Sequence, residues 1–355
     1  MSTAWVNIIN YINSQPTKVV ENITVENNKF KYNDIIENRV ITEYKDEELV
    51  RALLITRLVN ELGYPANKIE IEKQYEAGRP NTITSRIDLI VRDNNDNAFL
   101  FIEVKSPSGY AKSDQDEIIE KQLFNLAALE KAQGKNVKYL VLYTINEDTL
   151  EDECIVIDYE KETTFNSWED LRNSTNSIPS RYGKAQKVPY IKGSSFDLRT
   201  NFSNEYLVSL QKDLHNVLWG GGGTDDNEVF SSLVNLILAK IQDEDEKEDG
   251  QQYDFQSLMF EKDGDAEFET NEQLFERINR LYRSALREKM NIVDEQEINK
   301  SFVIDTKKFS LSKLKYSVQK MEHLSFVDGK NSLNGKDILG DFFEGIIRDG
   351  FKQTK

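Results

Sequence analysis

The strongest constraint on the fold is a short apolar run that contains two charges. Residues 97–107 read NAFLFIEVKSP, so Glu103 and Lys105 lie among side chains that favour a protein interior. A short apolar run bounded by turn-forming residues is typical of a buried β-strand. Burying an unpaired charge is costly unless another group compensates it. The run therefore predicts a buried strand whose two charges either form an ion pair or carry out chemistry.

Periodic segments on both sides of this run predict an α/β domain over residues 1–165. Apolar residues at helical spacing predict a helix over 45–65, with Asp46 as the N-cap and Gly63 followed by Pro65 as the stop signal. The other segments are strands at 68–75, 85–93 and 98–106, a helix at 116–135, and strands at 138–145 and 153–160. Helices that alternate with strands in this way indicate a sheet flanked by helices.

Beyond residue 165 the pattern changes. Residues 166–202 have weak periodicity and contain prolines and glycines, which predicts a linker or an extended loop. Residues 203–355 hold five helical segments without a convincing strand pair and predict an all-α domain. The tetrad Gly220–Gly223 lacks the Gly-Lys-Ser/Thr sequence of a phosphate-binding loop. We expect these glycines to end one helix and to let Thr224 or Asp225 cap the next.

The composition narrows the classes of function. A formal net charge of −17 argues against a protein that coats nucleic acid through bulk charge, so any DNA contact must come from local basic patches or bound cations. One cysteine excludes an internal disulfide framework, and two histidines leave little material for histidine-based chemistry. The first residues lack the features of a signal peptide, and no apolar segment approaches the roughly 20 residues that cross a bilayer. We expect a cytoplasmic protein without membrane contact.

Two local basic patches are candidate DNA contacts. The segment RYGKAQKVPYIKGSSF contains aromatic residues and four cations, a composition that can follow a phosphate backbone and stack on bases. Its cations are Arg181, Lys184, Lys187 and Lys192. The second patch follows Arg277 at helical steps and consists of Arg280, Arg283 and Arg287. For both patches, a solvated surface without a ligand is the alternative.

A predicted hairpin brings an acid opposite Glu103. If the turn between the strands at 85–93 and 98–106 is Asn95–Asp96, paired residues have numbers that sum to 191, which places Asp88 opposite Glu103. Lys105 then emerges on the same face as Glu103 because side chains alternate along a strand. Two close carboxylates repel each other unless a cation lies between them, and Mg²⁺ prefers such hard oxygen ligands. The alternative is a salt bridge between Lys105 and one of the carboxylates.

The first half of the chain resembles a known nuclease family. The segments DEELVRALLITRLVNELGYPANKIEIEKQY, SRIDLIV, LFIEVKSP and KQLFNLAAL are similar, in order and spacing, to the N-terminal nuclease domain of type I restriction-enzyme R subunits, of the PD-(D/E)xK superfamily. The resemblance covers roughly residues 40–150. It implies a mixed sheet flanked by helices, Mg²⁺ or Mn²⁺ as the cofactor, Asp88 and Glu103 as metal ligands, and Lys105 as the catalytic lysine.

The resemblance adds three further residues to the site. It implies that Glu48 is the helical acid of the family and that Val104 belongs to the metal site. Gln122 matches the glutamine of a helical motif that often ends in tyrosine, although this chain has Leu126 at the tyrosine position. For Glu48, an acid favoured by the positive end of the helix dipole is the alternative.

The second half resembles the N-terminal helical domain of N6-adenine DNA methyltransferases. The similar segments are LHNVLWGGGGTDDNEVFSSLVNLILAKI, LFERINRLYRSALREKM and GKDILGDFFEGIIRDGFKQTK. No Pro-Pro pair and no Walker-type loop occur, so we expect neither methyl transfer nor ATP-driven translocation from these residues.

Together the two resemblances imply a DNA endonuclease module of a restriction-modification or phage-defence enzyme, present as a fragment or a truncated gene product. Its expected partners are DNA and methyltransferase or specificity modules. The alternative is a non-catalytic DNA-binding or assembly module that docks on such a partner, and cleavage of RNA or branched DNA is a third hypothesis.

Overall fold

A computed structural model describes residues 3–26, 29–33, 35–36, 40–41, 45–77, 83–219, 226–262, 264–331 and 340. The chain divides into two compact units. The first, here called the sheet unit, is Met1–Trp168 with Asn173–Lys187. The second, the helical unit, is Glu169–Arg172 with Val188–Lys355. The boundary between the units therefore falls inside the segment for which the sequence predicts a linker.

A five-stranded mixed sheet forms the centre of the sheet unit. The chain first forms a small three-stranded sheet from β1 (Val20–Glu21), β2 (Phe30–Tyr32) and β3 (Val40–Ile41). The central strands are β4 (Ile69–Ala77), β5 (Ile83–Arg92), β6 (Ala98–Val104), β7 (Val137–Ile145) and β8 (Asp152–Asp158). They pair in chain order, and β6 and β7 are parallel while the other neighbours are antiparallel.

The chain also forms helical segments before, between and after these strands. They are α1 (Thr3–Ser14), α2 (Asp46–Asn60), α3 (Pro107–Lys112), α4 (Gln115–Ile118), a π-helix (Ile119–Phe124), α5 (Asn125–Ala132) and α6 (Phe165–Leu171). Side chains of α1 and α2 pack in one apolar core with one set of sheet residues, which we call the α2-side core. Residues of the π-helix and α5 pack in a separate core with another set, which we call the α5-side core.

Helix α2 shows how the sequence sets these elements. Its residues from Leu49 to Thr56 are all buried, because the helix lies within the unit rather than on its surface. The prediction that Asp46 caps the helix is wrong: Lys45 is the N-cap, without a side-chain cap, and Asp46 is the first helical residue. Acids in the first turn interact favourably with the helix dipole without capping it. Gly63 has a φ of 73°, which agrees with its predicted role as a stop.

The helical unit is built mainly from α7 (Asn204–Trp219), α8 (Asp226–Glu246), α9 (Asn271–Glu288), α10 (Glu295–Lys300) and α11 (Leu311–Met321). Their apolar faces share one core. The predicted fold class, a helix-flanked sheet followed by a helical region, is confirmed. The structure adds short strands that the sequence pattern did not indicate: β9 (Asn201–Phe202) with β12 (Lys330–Asn331), and the hairpin of β10 (Met259–Lys262) and β11 (Asp265–Phe268).

Two expectations for the helical unit lie outside the described residues. These are the caps at Gly220–Asp225 and, apart from Gly340, the helical segment over 335–351. In the part of the chain that the structure describes, none of the helices combines the length and apolar character that a membrane crossing requires.

Candidate active site

The hairpin of β5 and β6 has the predicted register but a different turn. Leu89 pairs with Ile102, and the two following pairs keep the sum of 191. The predicted two-residue turn at Asn95–Asp96 is wrong, because the Asp93 amide donates to the carbonyl of Asn97 and the loop closes there. A register shift between Val91 and Arg92 absorbs the difference and restores the predicted pairing. The paired ladder ends one step before Asp88 and Glu103.

A backbone irregularity surrounds Asp88. The ladder between β4 and β5 pairs Ile71 with Leu89 and Lys73 with Ile87, but no pair joins Glu72 to Asp88. Glu72 has a φ of 52°, in the left-handed region that non-glycine residues rarely adopt. Ile87 packs in the α5-side core and Leu89 in the α2-side core, although residues two apart normally share a face. The alternation of β5 is therefore interrupted at Asp88, and such irregularities concentrate near functional sites.

Asp88 is buried and both of its carboxylate oxygens accept a hydrogen bond. Oδ1 lies 2.9 Å from Arg51 Nη2, and Oδ2 accepts from the backbone amide of Val104 at 2.9 Å. Arg51 is itself buried and also pairs with Glu48 and Glu72, each at 3.0 Å. One guanidinium thus balances three carboxylates. Its charge and the amide of Val104 fix the orientation of Asp88.

Glu103 is buried and only partly satisfied. Its Oε1 lies 2.5 Å from Lys105 Nζ, whereas Oε2 is buried without a hydrogen-bond partner. Burial, and next the negative charge of Asp88, raise the pKa of Glu103 to about 8, although Lys105 acts in the opposite direction. Burial lowers the pKa of Lys105, but the charge of Glu103 outweighs this effect and the net shift is upward. Asp88, Glu103 and Lys105 therefore interact electrostatically at the end of β6.

Two neighbouring glutamates at the start of α2 contact different partners. Glu48, the helical acid implied by the family resemblance, accepts a hydrogen bond from Tyr32 Oη at 2.6 Å and pairs with Arg51 at 3.0 Å. The neighbouring Glu47, which no sequence motif singles out, has its Oε2 4.0 Å from Lys105 Nζ. Burial raises the pKa of Glu47, and Lys105 opposes this shift. The structure thus brings Glu47 to Lys105, and it joins Glu48 to Arg51.

Gln122 lies in the π-helix, on the helical segment that packs against the α5-side core. Its Oε1 is buried without a hydrogen-bond partner. A π-helix accommodates an extra residue within a helix and occurs frequently at functional sites. Gln122 therefore has the unused polar capacity that a ligand-binding residue requires.

These residues have oxygen atoms that fit a divalent cation. The buried Oε2 of Glu103 is a hard oxygen ligand with no other partner, and each oxygen of Asp88 keeps a second lone pair. Val104, the other residue implied for the metal site, has only its backbone carbonyl to offer. Among the described residues, Asp88 and Glu103 are not part of a group of three acidic side chains whose oxygens lie within 4.8 Å of one another.

A group of that kind is present in the helical unit. It consists of Asp243, Glu246 and Asp254. Lys247 Nζ lies 2.6 Å from Asp254 and 3.6 Å from each of the other two carboxylates. Asp243 also accepts hydrogen bonds from the backbone amides of Asp254 and Phe255. An ammonium group thus already balances these acids, which marks the group as a structural ion-pair network.

The first basic patch is partly packed into the protein. Arg181 and Lys184 are exposed, but the aromatic residue between them, Tyr182, stacks edge-on against Tyr64 and Phe99 and donates a hydrogen bond to the carbonyl of Arg92. Tyr182 is therefore not available for base stacking. In the helical unit, Lys192 Nζ donates to the carbonyl of Glu244 at 2.8 Å. Lys187 is half-buried and also interacts with other groups of the protein.

The second basic patch is not the continuous stripe that the sequence suggests. Arg277 is buried, pairs with Glu269 and donates a hydrogen bond to the carbonyl of Gln256, so its guanidinium is used within the protein. Arg283 donates to the carbonyl of Ser301, and Arg287 forms two hydrogen bonds with Glu295. Arg280 is exposed and has no ion pair among the residues that the structure describes.

The fold and these residues define a mixed α/β domain in which two central strands and a following lysine assemble an acidic site. Residues 46–170, just over a third of the chain, match the family described as type I restriction enzyme R protein N terminus, which supports an N-terminal restriction-enzyme domain in this part of the chain. A comparison with curated proteins gave no match. The match supports a nuclease-like module of a restriction system and implies DNA and complex partners. The methyltransferase resemblance of the second half stays a prediction.

Proposed function

We propose that the sheet unit is a Mg²⁺- or Mn²⁺-dependent endonuclease that hydrolyses DNA phosphodiester bonds in a restriction-modification or phage-defence system. The observation that supports this proposal most directly is the unpartnered, buried Oε2 of Glu103 beside the charges of Asp88 and Lys105. Leaving a buried oxygen without a partner is costly, which a purely structural ion pair would avoid. The match of residues 46–170 to a restriction-enzyme family supports the same function.

Each residue has a distinct role in this proposal. Asp88 and Glu103 hold the cation, with Val104 contributing its carbonyl. A bound divalent cation makes a coordinated water easier to deprotonate and offsets charge on the phosphate. Lys105 orients the attacking water or stabilises the negative charge that develops on the phosphate oxygens. Gln122 hydrogen-bonds the water or the substrate, because its Oε1 has no partner of its own. Arg51 holds Asp88 in its orientation through a hydrogen bond to Oδ1.

Two measurements test this function. Supercoiled plasmid is incubated with the protein and Mg²⁺ or Mn²⁺, and we expect nicking that is strongly reduced, but still measurable, in Lys105→Ala. Calorimetric titration with Mn²⁺ should show a binding site that is absent in Asp88→Asn. Cleavage by Lys105→Ala at the wild-type rate would contradict the proposal.

A second candidate function is a non-catalytic DNA-binding or assembly module that docks on a methyltransferase or specificity partner. The specific observation in its favour is that both oxygens of Asp88 are already occupied, one by Arg51 and one by the amide of Val104. An acid saturated in this way can serve a purely structural purpose. Under this alternative, the calorimetric site is missing and DNA binding does not depend on Mg²⁺. Exposed cations such as Arg181, Lys184 and Arg280 would then carry the DNA contact.

A further inference from the structure

Two neighbouring glutamates at the start of α2 have different surroundings. The side chain of Glu48 is 11% exposed, and its carboxylate is held by Tyr32 and Arg51. The side chain of Glu47 is 36% exposed, and its ion pair is the 4.0 Å approach to Lys105 Nζ. The residue that faces the proposed catalytic lysine is therefore Glu47.

Under the proposed function, Lys105 and the divalent cation compete for the same carboxylate. Its ammonium pairs with Oε1 of Glu103, the same carboxylate that the proposal assigns to a divalent cation. Two cations that share one carboxylate repel each other strongly at short range. Lys105 therefore needs a second anion when Glu103 binds the metal, or it moves away from the site.

The other nearby carboxylates already have hydrogen-bond or ion-pair partners. Asp88 is held by Arg51 and the amide of Val104. Glu48 is held by Tyr32 and Arg51, and Glu72 pairs with Arg51 and Arg86. Among the described residues, Glu47 is the remaining acid within ion-pair range of Lys105 Nζ.

We infer that Glu47 is a positioning residue that retains Lys105 in the site when Glu103 binds a divalent cation. This inference rests on the proposed function. Lys105 has a flexible four-carbon side chain that can close the remaining gap to Glu47, whereas α2 is fixed by its buried residues from Leu49 onward. Glu47 acts through Lys105 and does not itself contact the substrate.

The first test measures how Mg²⁺ changes the reactivity of the Lys105 amine, which rises when the ammonium group loses its ion pair. Wild type, Glu47→Gln and the control Asp46→Asn are treated with an amine-reactive reagent at fixed pH, and labelling of Lys105 is followed by mass spectrometry. Asp46 is an exposed acid of the same helical turn, so the control removes an equal charge from the helix end. Mg²⁺ should accelerate labelling of Lys105 in Glu47→Gln by about threefold relative to wild type, a factor typical of losing one partly exposed ion pair. The control should respond as wild type does.

The second test is a double-mutant cycle in plasmid cleavage. Glu47→Gln should lower kcat while leaving the half-saturating Mg²⁺ concentration unchanged, and it should have no further effect in a Lys105→Ala background. An additional loss in that background would show that Glu47 acts independently of Lys105 and would overturn the inference. Equal labelling of Lys105 in wild type and Glu47→Gln with Mg²⁺ would also overturn it. The proposed function would survive both outcomes, since cleavage by wild type and its reduction in Lys105→Ala are measured separately.

Discussion

Glu130 and Glu103 are both buried in the sheet unit, and their partners differ completely. Glu130, on α5, is fully buried, and its oxygens accept hydrogen bonds from Arg92, from Lys73 at 2.7 Å and from Tyr75 Oη at 2.6 Å. Burial acts to raise the pKa of Glu130, but these three donors outweigh it, and the pKa lies below its ordinary value. Glu103 has one cationic partner and one unpartnered oxygen, and its pKa is raised to about 8.

This contrast separates a structural carboxylate from the one that we propose binds a divalent cation. The cations around Glu130 compensate its burial and connect β4, β5 and α5. The surroundings of Glu103 instead raise its pKa and favour its protonated form, because the group is buried and another acid, Asp88, lies nearby. Such an arrangement reduces stability in the absence of a ligand, as is common at functional sites.

The largest effect is expected from removing the structural glutamate. Glu130→Ala leaves Arg92, Lys73 and the Tyr75 hydroxyl without their shared acceptor, which should cost about 3–5 kcal/mol of unfolding free energy. Urea unfolding followed by tryptophan fluorescence measures this loss. Glu103→Gln is the matched control and should not be destabilised. A loss below about 1 kcal/mol in Glu130→Ala would contradict the distinction between the two acids.

The next largest effect concerns the guanidinium behind Asp88. Arg51→Met leaves three carboxylates without their common partner and should cost about 3 kcal/mol. Millimolar Mg²⁺ should restore part of this stability, because a divalent cation can replace the lost positive charge. Unfolding curves of wild type and Arg51→Met with and without Mg²⁺ provide the measurement. If Mg²⁺ stabilises neither protein, a cation site at Asp88 and Glu103 is excluded.

A smaller change in unfolding free energy, this time a gain in stability, is expected for Glu103→Gln at high pH. The pKa of this group is higher in the folded state, about 8, than its ordinary value of 4.5, so the folded state binds the additional proton between these values. The contribution of Glu103 to stability is therefore fully present below about pH 4.5 and is lost as the pH rises through 8. At pH 9 without metal, Glu103→Gln should be more stable than wild type by on the order of 2 kcal/mol. A variant that is less stable than wild type at pH 9 would show that the charged form of Glu103 is stabilising.

The smallest change in stability is expected for Gln122. Its Oε1 makes no hydrogen bond, so Gln122→Met should alter the unfolding free energy by only about 0.5 kcal/mol. Under the proposed function, the same change should reduce plasmid cleavage without affecting calorimetric metal binding. Full activity in Gln122→Met would remove Gln122 from the site.

Much of the sheet unit could be predicted from the sequence. The five central strands and the start of the helix that contains Leu49 lie within about two residues of their predicted positions, since short apolar runs and helical spacing are strong signals. The predicted register of β5 and β6 is also confirmed, although the predicted turn is wrong. The loop that closes from Asp93 to Asn97 and the shift at Val91 cancel each other, so a wrong turn led to the right pairing.

The charge networks are harder to predict because their members come from distant parts of the chain. Arg51 and Glu130 nevertheless carry the same signal that draws attention to Glu103, a charge among apolar neighbours. Arg51 interrupts a run of apolar residues in α2, and Glu130 follows Leu126 and Ala127 at helical spacing. The sequence does not indicate which partner each charge meets. The position of Glu47 relative to Lys105 depends on the start of α2 and the end of β6, and only the folded chain brings these together.

The π-helix at Ile119–Phe124 has a consequence for how the two halves of its helical segment are oriented. It contains Gln122 and precedes Glu130, and each residue added to a helix rotates the next part of that helix by about 100°. Deleting one residue within the π-helix would convert it to an ordinary helix and rotate Glu130 away from Arg92, Lys73 and Tyr75. If Glu130 kept its partners, the side chain of Gln122 would instead change direction. The π-helix therefore sets the rotation of Glu130 about the helix axis relative to Gln122. Insertions or deletions that are harmless in most surface helices should not be tolerated here.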